Sequence, residues 1–165
     1  MSIRSHDLAR AAYGVVSARQ QLPDDERKKY GALAHKLPSL ILQNGLAQAT
    51  GFLLAKGKNI QATDKDAETE TAVDNPSTRP NEHYALLDDL REILHAVRVI
   101  NSNVTERDDL HKQIIDADMA TTMRLTRHSL AACGWIKRYV QGILRIDSTG
   151  AVNDANDAKE DDHAD

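Results

Sequence analysis

Residues 117–146 read ADMATTMRLTRHSLAACGWIKRYVQGILRI, a stretch without proline and without strand-like alternation. It predicts one long helix from Ala117 to Ile146. At about 100° per residue, Arg124, Arg127, Arg138 and Arg145 share a stripe roughly 60° wide. Met119, Leu130, Cys133, Ile136, Val140 and Leu144 fall on the opposite side. A helix divided this way turns its apolar side to a core and its arginines to solvent or an anion. Ala120, Ala131 and Gly134 lie within the basic stripe and leave room for a backbone to approach. The four arginines span about 30 Å of helix, a length that suits a row of phosphates. Three readings stay open: a solvated face paired to neighbouring acids, an anion-binding face for nucleic acid, or a protein interface. Trp135 projects at the edge of the polar face, where it either joins the core or stacks on a base or partner. Lys137 projects toward the apolar side, as a snorkelling stem or as a buried partner for an acid.

Moving outward, nearly everything else has helical character. Ser5 is positioned to cap a helix to about Gln20, with Leu8, Ala11, Ala12, Val15 and Val16 on one stripe. Pro23 with Asp24, Asp25 and Glu26 opens a second helix, its acids suiting the positive end of the helix dipole. Pro38 is expected to end or kink that helix. Residues 39–56 (SLILQNGLAQATGFLLAK) are apolar on nearly every side, which predicts the buried centre of a bundle. Gly45 and Gly51 read there as points of close backbone approach, and Gly57 as the helix end. Ala47, Gly51 and Ala55 make a small-residue edge, expected to meet an internal neighbour or another copy of the chain. Pro80 and Asn81 open a helix to Ile100. Thr105 and Asp108 resemble a capping box for a short helix to about Asp116. The predicted architecture is all-α: a compact bundle of about six helices with a long C-terminal helix, in one domain over 1–146.

The charge is unevenly placed. The net charge is -4, yet residues 147–165 carry seven acids and one Lys, and residues 64–74 carry five acids and one Lys. The remaining chain is therefore basic, with 19 Lys and Arg against 13 acids. Neither acidic stretch has an apolar period that would offset the entropy of ordering it. Residues 58–80 read as a flexible acidic loop insertion and 147–165 as a disordered acidic tail. Both are either solvated segments or, for the tail, a competitor of nucleic acid for the basic face.

At 165 residues with one cysteine, the chain is about one domain long and has no intrachain disulfide or Cys-based zinc site. No apolar run approaches the ~20 residues of a membrane span. The opening MSIRSHDLAR lacks the apolar core of a signal peptide, so the chain reads as soluble and cytoplasmic. Glu92 with His95 and Asp108 with His111 have half the spacing of a di-iron site, but 38–56 and 119–146 offer no acid to complete it. His6-Asp7 lacks companion ligands, and Cys133 reads as a small core residue. No phosphate loop, dinucleotide glycine pattern or nucleophile elbow is present, so neither an enzyme nor a bound cofactor or metal is expected.

Three groups of residues carry a family likeness: Arg4-Ser5 with Ala12-Tyr13; Tyr30, Lys36-Leu37-Pro38, Asn44-Gly45-Leu46 and Phe52-Leu53; and Met123-Arg124-x-Thr126-Arg127 with Trp135-x-Lys137-Arg138-Tyr139. In this order the chain resembles the small, fifth-named subunit of Cmr-type (type III-B) CRISPR RNA-guided effector complexes. It departs from the family in Thr122, where a Tyr is usual, in the enlarged loop at 58–80 and in the extra tail. The resemblance implies a non-catalytic helical subunit whose copies stack along the belly of the complex. It implies as neighbours the backbone subunits, which hold the guide RNA, and the large subunit, with guide and target RNA pairing in the lined channel. Stripe and resemblance together name Arg124, Arg127, Arg138 and Arg145 as RNA-binding candidates, with Arg4, Arg10 and Lys36 beside them. The alternative readings are a helical DNA-binding regulator, although no compact helix-turn-helix pair stands out, and a generic protein-interaction bundle.

Overall fold

In the computed structural model, residues 4–63 and 80–152 are described. The order is α1 (Arg4–Ala18), a single 3-10 turn (Arg19–Gln21), α2 (Asp24–Asn44), α3 (Leu46–Thr63), α4 (Glu82–Ala96), α5 (Arg107–Ile115) and α6 (Met119–Tyr139). A wide π-helical turn, Val140–Leu144, continues α6. The fold is all-α as expected; the extended pairing among the described residues is one isolated antiparallel bridge, Ile146 to Val152.

The buried centre is α4, and not the 39–56 segment. Helix α4 packs against α1, α2, α3, α5 and α6. It buries Tyr84, Ala85, Leu86, Leu87, Asp89, Leu90, Ile93 and Leu94. By contrast Leu42 and Phe52 are exposed. Helix α4 carries Asp88, Asp89, Arg91 and Glu92 along its middle. Asp89 is nevertheless buried, because three donors reach it. Arg19 Nε donates to Oδ2 at 3.0 Å, Arg19 Nη2 to Oδ1 at 2.5 Å, and the Tyr30 hydroxyl to Oδ2 at 2.7 Å. This network ties the end of α1 and the middle of α2 to α4. Burial pushes the Asp89 carboxyl up, and its hydrogen bonds to Arg19 and Tyr30 act against that push.

Pro38 does not end its helix. Helix α2 runs through it to Asn44. An interior proline costs about 3 kcal/mol through its missing N–H and ring clash. Leu37 and Ile41 stay in register with Tyr30, Leu33 and Ala34 and are buried. Each such burial contributes about 1.5–3 kcal/mol, enough to offset the proline. The break falls at Gly45, whose φ of 85° is readily reached only without a side chain. The close backbone approach expected at Gly45 is therefore absent: a Cβ there would meet nothing within 4 Å.

Gly57, expected to close a helix, lies inside α3. A Cβ on it would come within 2.0 Å of the Tyr84 ring, so the α3–α4 contact depends on its hydrogen. Asn81 adds to this corner. Its side-chain oxygen accepts the Tyr84 N–H and so caps α4, while Nδ2 donates to the Gly57 carbonyl. On the small-residue edge, α5 comes against Gly51 through His111, and Ala47 and Ala55 are exposed. Residues 58–63, expected as loop, continue α3; residues 64–79 lie outside the described residues.

Helix ends differ from expectation by a residue or more. Ser5 is within α1, which begins at Arg4. Helix α4 stops at Ala96, short of Ile100. Glu106 and Asp109 form the capping box of α5, one position beyond Thr105 and Asp108. Asp118 caps α6 by accepting the Thr121 N–H at 2.8 Å. At the other end Arg145 adopts φ 56°, and the chain turns back along α2. Ile146 is fully buried, and its carbonyl is 3.0 Å from His35 Nε2. The Asp147 side chain then accepts the backbone N–H groups of Thr149 and Ala151. Residues 147–152, expected as tail, are thus part of the folded body, and 153–165 lie outside the described residues.

Candidate nucleic-acid interface

Helix α6 divides as its sequence requires. Leu125, Ser129, Ala132, Cys133 and Ile136 are buried, while Arg124, Arg127, Ala131, Gly134 and Arg138 are exposed. Met119, placed with the core side by periodicity, is 76% exposed, because the first turn of α6 overhangs the bundle and burial begins at Leu125. Leu130 is half-buried and Lys137 exposed. Burial pushes the Cys133 thiol up to about 12, which keeps it protonated and inert at neutral pH.

The four arginines of the predicted stripe do not stay together. Arg124, Arg127 and Arg138 project from regular α-helix. Arg145 lies beyond the wide turn, which shifts the register, and its left-handed backbone takes it off the helix altogether. The continuous row is therefore Arg124 to Arg138, about 21 Å long.

Its electrostatics are graded. Among the described residues, no carboxylate lies within ion-pairing distance of Arg124, Arg127, Arg138 or Arg145. Arg124 does open onto a polar cleft of about 650 Å³ that also holds Asp109, Asp116 and Asp118. Hydrogen bonds from Thr121 foremost, and the charge of Arg124 last, hold the Asp118 carboxyl below its usual range. Arg124 is thus partly compensated, whereas Arg127 and Arg138 are the barest cations of the row.

The other candidates are distributed around the bundle. Helix α1 packs along α6, and the 3-10 turn after it reaches the wide turn after α6, so the two helices run in the same direction. Arg10 is exposed on α1 and carries an ion pair with Asp7 at 3.3 Å. The side chain of Arg4 lies outside the described residues. Lys36 is exposed on α2, in a groove with Leu40, Phe52 and His83 to which α6 contributes nothing. The structure brings Arg10 to the α6 side and leaves Lys36 apart from it.

Sequence reasoning missed one feature. Trp135 is half-buried and stacks on Tyr139, with centroids 5.8 Å apart and planes 24° apart. Tyr13 of α1 meets Tyr139 edge-on at 5.5 Å. The Arg138 guanidinium stands over the Trp135 ring at 5.0 Å. The four-residue spacing of Trp135 and Tyr139 was legible; the arrival of Tyr13 from another helix was not.

Among the described residues no three His, Cys, Asp or Glu side chains are grouped to hold a metal. His111 Nδ1 lies 2.8 Å from the Thr50 hydroxyl, and Glu92 and His95 are exposed. No helix among the described residues is long and apolar enough to cross a membrane.

Comparison with known proteins gives a consistent picture. The family model described as CRISPR-associated protein (Cas_Cmr5) matches residues 4–143. The chain is 31% identical over 144 residues to the CRISPR system Cmr subunit Cmr5 of Thermus thermophilus, covering 87% of this chain and 98% of that one. It is also similar to the crystal structure of a CRISPR-associated Cmr5 family protein from the same organism. That similarity has a TM-score of 0.61 and 28% identity, over 87% of this chain and 99% of the other.

Proposed function

Because the chain belongs to the Cmr5 family of CRISPR-associated proteins, we propose that it is a non-catalytic subunit of a type III-B CRISPR ribonucleoprotein acting in antiviral defence in the cytoplasm. Copies stack along the belly of the complex beside the backbone subunits and the large subunit. Their α6 faces line the channel in which guide and target RNA pair. The observation that carries this reading is the exposed arginine row on α6, unpaired with acids among the described residues and opposite a fully packed core. Arg127 and Arg138 take RNA phosphate, with Arg124 at one end of the row and Arg10 beside it. Lys36 and Arg145 contribute only through other stretches of RNA, since neither shares this row, and Arg4 stays a candidate on its sequence position alone. Sequence is read by RNA–RNA pairing, and the protein senses backbone and shape.

The test is Arg124→Ala, Arg127→Ala and Arg138→Ala together in the assembled complex. Each lost phosphate contact should lower the slope of log affinity against log salt by about 0.7, without changing sequence preference. Wild-type affinity and slope in the triple variant would overturn the assignment. Tighter binding of duplex DNA than of single-stranded RNA would favour a DNA-binding regulator instead.

A further inference from the structure

We infer that the Tyr13–Trp135–Tyr139 cluster is a stacking seat for an unpaired RNA base, an inference that rests on the RNA reading above and adds a contact to the base itself. The chain holds six aromatic residues other than histidine: one Phe, one Trp and four Tyr. Tyr30 and Tyr84 are buried in the core, and Phe52 lies away from α6. The remaining three gather at one seam between α1 and α6. Trp135 and Tyr139 pack partly against the core, but core packing does not account for Tyr13. Tyr13 is 56% exposed, Trp135 and Tyr139 are each half-buried, and the hydroxyls of Tyr13 and Tyr139 have no hydrogen-bond partner among the described residues.

The surroundings select the occupant. Arg138 stands over the Trp135 ring, Arg10 lies one turn before Tyr13, and Arg127 continues the same row. Asp7, paired to Arg10, is the nearby acid on α1. Aromatic faces beside bare cations match a chain that carries phosphates and π faces together. A base turned out of the stack lies against the exposed Tyr13 ring while Arg138 holds the adjacent phosphate and Arg127 one further along the strand. A helix already paired end to end offers no such base, so the seat distinguishes single-stranded or flipped-out nucleotides from continuous duplex.

Trp135 is the only tryptophan of the chain, so its emission reports directly on the seat. The full-length chain is titrated at low salt with oligouridylate and with an abasic ribose-phosphate oligomer of equal length and charge. Oligouridylate should bind about 5- to 150-fold more tightly, the range for one stacked base, and quench Trp135. Tyr13→Ala should bring the two affinities together with little change in melting temperature, since that side chain is more than half exposed. Tyr13→Phe should restore the difference. Equal affinities, an unchanged Trp135 emission at saturation, or indifference to Tyr13→Ala would overturn the seat and leave the arginine row standing. Binding of neither oligomer to the isolated chain at low salt would overturn the seat, while the arginine row is decided by the triple variant in the assembled complex. Stronger quenching by an acidic peptide than by oligouridylate would overturn the base seat and reassign the cluster to a protein partner.

Discussion

Replacing Asp89 by Ala should be among the most damaging single changes in the molecule. Asp89 is 3% exposed and accepts three hydrogen bonds, two from Arg19 and one from Tyr30. Its removal strands a Tyr30 hydroxyl at 0% exposure and a guanidinium whose side chain is only 20% exposed. Breaking a buried ion pair by deleting one partner costs about 3–5 kcal/mol. For a chain of this length about 1 kcal/mol moves the melting temperature by roughly 2–4 °C. The expected fall is therefore about 6–20 °C, read by circular dichroism at fixed pH and salt. Tyr30→Phe, which removes one hydrogen bond to the carboxylate, should cost about 1.5–3 kcal/mol. The double variant Asp89→Ala, Tyr30→Phe should be less unstable than the two single losses added, because the stranded hydroxyl is gone. A loss under about 1 kcal/mol in Asp89→Ala, or strict additivity in the cycle, would refute the argument that this network holds α1 and α2 to α4.

Two further outcomes follow from the fold. Gly57→Ala places a methyl 2.0 Å from the Tyr84 ring and should cost about 1–3 kcal/mol or more, whereas Gly134→Ala, with nothing within 4 Å inside α6, should stabilise by up to about 1 kcal/mol. Asp118 has its folded carboxyl below the ordinary value of 3.8, so its capping of α6 is fully present above about pH 4 and is lost as pH falls through the folded value. Asp118→Ala should therefore flatten the acid limb of a stability–pH curve, and an unchanged limb would show that the cap is immaterial.

Much of this was written in local periodicity. The α6 split between Leu125, Cys133, Ile136 and the arginines follows from 3.6 residues per turn alone, and it survives wherever the helix is regular. Local rules failed where distant contacts decided. Pro38 passes through α2 because Leu37 and Ile41 are held by the core, which no window around the proline contains. Asp89 is buried in α4 through partners 70 and 59 residues away, which no local window contains. Arg145 leaves its stripe because His35 and the buried Ile146 draw the chain across α2. Tyr13 reaches Tyr139 from another helix, a pairing that sequence spacing cannot express.

Under the proposed RNA reading, the wide turn at Val140–Leu144 also sets a quantum of grip. By ending the regular helix after Tyr139, it limits each copy to three arginines in one row, whatever the length of RNA on offer. Three phosphate contacts give a salt slope of about 2 per copy on a single strand, too shallow for one copy to hold RNA firmly. Under the proposed stacking, retention then rises in discrete increments, one per copy added, so that avidity is counted in subunits rather than tuned by residues.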